Sequence, residues 1–129
     1  MSALKVINEA LAQLEALPAV AGVTLTDRNG DVVSQEMPAF YDDEQLRQTT
    51  ANIVNLGVNL RVNRRRYADQ AWNFGDFRLL ACDLNRGHLI VLLDDADCTP
   101  LVELKVRALR RRLAGALAFP NRYAQAANA

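Results

Sequence analysis

The residues of this chain best suited to chemistry are a single histidine, two cysteines, a cluster of three aspartates and two groups of arginines. A nucleophilic site requires a nucleophile, a base within hydrogen-bond reach and a third group that orients the base. His88 stands next to the turn residue Gly87, with no serine or cysteine nucleophile motif around it, and reads as a solvated histidine at a strand end. Cys82 and Cys98 lie in apolar and helix-start contexts, without metal-pair spacing or a secreted disulfide framework, so a reducing cytoplasm is the expected home. Asp94, Asp95 and Asp97 lack the ordered oxygen spacing and later glutamate of a calcium loop, and are expected to precede and charge a helix N-terminus. The six glycines are scattered, and neither GxxxxGK(S/T) nor GxGxxG can be drawn through them. No catalytic residue, cofactor or metal site is expected.

The arginines form two groups: Arg61, Arg64, Arg65 and Arg66, then Arg107, Arg110, Arg111 and Arg112. A nucleic-acid surface is one use for them. Fifteen basic and fifteen acidic residues cancel, however, and no aromatic-studded RNA motif accompanies them, so nucleic acid is disfavoured. Each group falls in or just beyond the second half of a predicted helix, where cations complement the dipole. A docking surface for an acidic protein partner fits better, with Arg61, Arg64, Arg65 and Arg66 as the candidates.

The elements that must carry these residues follow from periodicity. Half of the 129 residues are hydrophobic, enough for one self-contained core, and one domain over 1–119 with a flexible tail at 120–129 is expected. Leu4, Ile7, Leu11, Leu14 and Leu17 lie on one face of a first helix that Ser2 caps and Pro18 ends. The N-terminal alternation is not that of a signal peptide, and the longest apolar run, Leu89 to Leu93, is too short to span a bilayer. Ala19 to Thr26 and Asp31 to Ser34 are β-prone and flank Asp27-Arg28-Asn29-Gly30, where Asn-Gly predicts a tight primed hairpin turn. Asp42 is positioned to cap a middle helix over 43–62. From Tyr67 the period becomes two, giving strands Tyr67 to Asn73, Phe77 to Leu84 and His88 to Leu93 as a meander. Thr99 as cap and Pro100 at the first position open a last helix with its stripe on Val102, Val106, Leu109, Leu113 and Leu117. The fifth strand is apolar on both sides, so helices must cover both sheet faces.

The middle helix carries more apolar surface than one sheet contact uses. Leu46, Thr49, Thr50, Ile53, Leu56, Gly57 and Leu60 form one stripe. Ala51, Val54, Val58 and Val62 form a second, and Gln48, Asn52, Asn55 and Asn59 fill a narrow polar strip. A monomer would leave the second stripe in water, and such a strip beside a sheet marks an interface. Tyr67 and Trp72 lie on the strand that opens the meander, which an edge position would leave free to meet a second chain. Ala51, Val54, Val58, Val62, Tyr67 and Trp72 are therefore the expected dimer interface.

Together, the order of elements and one motif resemble a known family. Val20-Ala21-Gly22-Val23-Thr24-Leu25-Thr26-Asp27-Arg28-Asn29-Gly30-Asp31-Val32-Val33-Ser34 resembles the signature hairpin of the Roadblock/dynein light chain domain. Leu89 to Leu93 resembles its apolar fifth strand, and Leu101 through Leu113 its closing helix. The resemblance implies an α+β fold, a single-domain α/β/α sandwich of Roadblock/profilin-like type. Its five-stranded antiparallel sheet would run in order 2-1-5-4-3, with the first and last of three helices on one face and the middle helix on the other. It further implies pairing through the third strand and middle helix, as a homodimer or with a paralogous Roadblock protein, and a regulatory or scaffolding role on a Ras-like small GTPase. The run from Arg61 to Arg66 departs from the family pattern. A small-molecule sensor domain is the alternative of another class; it requires a pocket of convergent polar groups, which the expected core lacks.

Overall fold

The computed structural model describes residues 2–37, 48, 51, 52, 55, 70–74 and 77–118. The chain opens with helix α1 (Ala3–Glu15), then strands β1 (Val20–Asp27), β2 (Val32–Glu36), β3 (Gln70–Phe74), β4 (Phe77–Asp83) and β5 (Gly87–Leu93). A short 3-10 turn, Ala96–Cys98, leads into helix α2 (Thr99–Leu117). The strands form one antiparallel sheet in the order β2-β1-β5-β4-β3.

Local chemistry explains most boundaries. The Ser2 hydroxyl accepts the Lys5 amide at 3.2 Å, satisfying one of the free donors at the start of α1. That helix buries Ala3, Ile7, Ala10, Leu11 and Leu14, while Leu4 and Leu17 are half-buried at the margins of the expected stripe. The β1–β2 turn is not the two-residue primed turn predicted from Asn-Gly. Gly30 alone has positive φ, at 91°, and its amide donates to Asp27 O at 3.1 Å. One carboxylate oxygen of Asp27 accepts the amides of Asn29 and Asp31 at 2.9 and 3.0 Å. The aspartate thereby stabilises a three-residue loop with its glycine last, which a residue count at the turn does not distinguish.

The second correction concerns Thr99. It does not cap α2: Cys98 holds that position and makes no side-chain cap bond. The 3-10 turn feeds directly into the helix, so Thr99 already lies inside it, and its hydroxyl accepts from Arg78 Nη1 at 2.9 Å. Pro100 does sit in the first turn, where its missing N–H costs nothing.

β5 is the middle strand of the sheet and is buried at every position. Leu89, Val91 and Leu93 join Val23, Leu25, Leu80 and Cys82 against α1 and α2. Ile90 and Leu92 join Leu79 and Ala81 on the other face, with Ala21, Met37 and Phe77 at its margin. The third correction follows from the same geometry. His88 is completely buried rather than solvated. It pairs with Thr26 of β1 on one side and Asp83 of β4 on the other, so it lies inside the ladder and not on its rim. Gly87 is fixed by close approach: a Cβ there would collide with the carbonyl oxygen of Thr26 and stand 2.8 Å from Leu117 Cδ1.

Candidate partner-binding surfaces

The sheet order leaves β2 and β3 as its two edges. β3 pairs with β4 from Gln70 opposite Ala81 to Phe74 opposite Phe77, and no strand lies on its other side among the described residues. Ala71 and Asn73 of β3 are exposed. The Asn73 carboxamide oxygen accepts from Arg78 Nε at 3.0 Å, and the same guanidinium reaches Thr99, so the β3 edge is linked through one arginine to the start of α2.

Of the expected interface, the structure gives two positions. Trp72 lies in β3 with its backbone opposite Leu79. Ala51 has helical backbone and is exposed, as are Gln48, Asn52 and Asn55; at about 100° per residue these four share one exposed arc. Val54, Val58, Val62 and Tyr67 lie outside the described residues. So do Arg61, Arg64, Arg65 and Arg66, and the tail at 120–129.

α2 presents a second surface. Arg107, Arg111 and Arg112 are exposed opposite the buried stripe, and Arg110 is half-buried. Sequence reasoning missed Leu101 and Leu104, which are 47% and 61% exposed. The available signal was their three-residue spacing, offset from the stripe that packs on the sheet.

Ahead of α2, one carboxylate oxygen of Asp95 accepts the Asp97 amide at 3.0 Å and the other lies 3.8 Å from Cys98 Sγ. Burial raises the Cys98 pKa above its ordinary value, and the charge of Asp95, its hydrogen bond and the charges of Asp97 and Asp94 add to the rise. A thiol held protonated is a poor nucleophile. Among the described residues no group of His, Cys, Asp and Glu could hold a metal ion, and no helix is long and apolar enough to cross a membrane.

Solved structures of the same topology decide the fold. MglB from Myxococcus xanthus superposes with a TM-score of 0.68 at 22% identity, over 87% of this chain and 87% of its own. The gliding protein MglB of Thermus thermophilus gives 0.69 at 14% identity, over 92% of this chain and 93% of its own. The Roadblock/LC7 domain from Streptomyces avermitillis gives 0.58 at 19% identity, over 82% of this chain and 96% of its own. The chain has the Roadblock/LC7 fold. No protein-family model matches the sequence, and no curated protein matches it. Among the described residues of this Roadblock/LC7 fold, the β3 edge and the outer face of α2 are two surfaces that a partner could meet.

Proposed function

We propose that this chain is a non-enzymatic, dimeric regulatory or scaffold protein that binds a Ras-like small GTPase and modulates its activity or localisation in the cytoplasm. The observation that carries this reading is the position of β3: in a Roadblock/LC7 fold similar to that of MglB, it is an edge strand with no neighbour on its outer side among the described residues. The proposed fold is an α/β/α sandwich with three helices, in which a middle helix over 43–62 is assigned to the sheet face of Leu79, Ala81, Ile90 and Leu92. Its second stripe, Ala51, Val54, Val58 and Val62, then meets the same stripe of a second copy or a paralogue, while Tyr67 and Trp72 join the two sheets edge to edge. The basic run of Arg61, Arg64, Arg65 and Arg66 faces the acidic surface of the GTPase.

Light scattering after gel filtration tests the dimer directly. The unmodified chain is expected at twice its monomer mass and Val58→Asp at the monomer mass, because the substitution buries an unpaired charge at a cost of several kcal/mol. An unchanged mass for the variant sinks the interface. A pull-down from the native host, read by mass spectrometry with and without GTP analogues, tests the partner: recovery of no nucleotide-dependent small GTPase overturns the reading.

A further inference from the structure

We infer that the outer face of α2 is a docking ridge for a second partner, an acidic amphipathic helix of another protein. The ridge starts from the two exposed leucines, Leu101 and Leu104. At about 100° per residue they fall with Ala108 and Gly115 inside an arc of about 60°, opposite the residues that pack on the sheet. Ala108 and Gly115 are exposed as well, so the helix carries a second apolar line facing away from its own core. From Leu101 to Gly115 the line runs about 21 Å, the length of several turns of a partner helix.

Among the described residues, no contact requires glycine at position 115. A Cβ built there meets nothing within 4 Å among the described residues outside its own helix backbone, and its φ is not in the left-handed region. Glycine inside a helix costs about 1 kcal/mol against alanine, and its benefit here is close approach from outside, where a side chain would hold a partner away.

Charge selects the occupant. Arg107 and Arg111 border the line on one side, and Lys105 and Arg112 on the other, with Glu103 as the acid on the exposed turns between Leu101 and Gly115. A second copy presenting the same ridge would set cation against cation. A nucleic acid would use the arginines and leave both leucines in water. A membrane surface calls for an apolar face wider than this arc, which holds no aromatic residue. A helix with leucine-type anchors between rows of Asp and Glu satisfies both the apolar line and its cationic borders. The ridge lies on the face of the sheet opposite the proposed dimer helix and does not depend on that dimer.

The test uses a fluorescein-labelled, stapled helical peptide about five turns long, with leucines on one face and glutamates beside them. Two control peptides replace the leucines by serine or the glutamates by lysine. Expected are saturable binding of the first peptide alone, amide shifts confined to α2 from Leu101 to Gly115, and about tenfold or greater loss of affinity in Leu104→Lys and in Arg107→Glu/Arg111→Glu. All three changed side chains are exposed, and circular dichroism melts verify that the variants fold. Equal binding of the serine peptide, shifts elsewhere, or unchanged affinity in the arginine variant overturns the proposal. So does Leu104-dependent binding to phosphatidylserine vesicles in place of the peptide.

Discussion

Arg78 on β4 donates to the Thr99 hydroxyl at 2.9 Å, joining the sheet to the first turn of the last helix where the expected cap bond is missing. Thr99 is buried, so the bond is sheltered from water. Thr99→Val keeps the shape and removes the acceptor. Urea unfolding should show a loss of about 1.5–3 kcal/mol, the range for a hydrogen bond to a charged group, while Thr99→Ser should retain most of it.

Gly87 and Gly115 should respond in opposite directions to alanine. At Gly87 the added carbon strikes the Thr26 backbone and Leu117, and the β1–β5 ladder has to shift, at about 1–3 kcal/mol or more. At Gly115 the added carbon meets nothing among the described residues, and the variant should gain up to about 1 kcal/mol from helix propensity. Chemical denaturation of both variants checks the pair.

Glu15 and Glu36 stand close enough for repulsion. Burial first, and then the charge of Glu36, raises the Glu15 pKa above 4.5. The folded state therefore holds this proton more tightly than the unfolded chain. This contribution favours folding most at low pH, and stability is lost as pH rises from the ordinary glutamate range through the raised value. Glu36→Gln should flatten that part of the stability profile and raise the neutral-pH melting temperature, with the gain shrinking as salt is added.

The elements are legible wherever one physical signal acts alone. Ser2 caps, Pro100 opens a helix, and the all-apolar run Leu89 to Leu93 forms the central strand. Sequence and structure part where two interactions compete for one group. Asp27 uses its carboxylate to build a longer loop than Asn-Gly suggests, and the Thr99 hydroxyl bonds across to a strand instead of along its own helix. His88 differs for another reason, because nearness to a turn in sequence says nothing about whether strands flank it on both sides. Of the candidate surfaces, the β3 edge and the exposed arginines of α2 are legible in the sequence. The leucine line is not, since its residues read as marginal to a strong buried stripe.

Cys98 and Cys82 should label on different clocks. Cys98 is half-exposed but held as the neutral thiol by burial and the surrounding aspartates, so iodoacetamide at mildly alkaline pH should modify it more slowly than a free thiol. Asp95→Asn should speed it. Cys82 is buried and should react only on unfolding, which mass spectrometry along a urea series can follow.

Trp72 is the single tryptophan and lies in the edge strand. If that edge meets a second chain, emission should shift to the red on dilution through the dissociation range and remain red in Val58→Asp. Emission independent of concentration, in a sample whose mass does change, would remove Trp72 from the interface.

The pairing of β1 with β5 has a consequence for synthesis. β1 emerges with α1 and β2, but its main partner strand is translated about 60–70 residues later. At about 5–20 residues per second, the N-terminal hairpin spends several seconds outside the ribosome with Val23 and Leu25 unmatched. The nascent chain is thus at greatest risk of aggregation before the middle of the sheet exists. A chaperone acting on this protein would have its task during that interval.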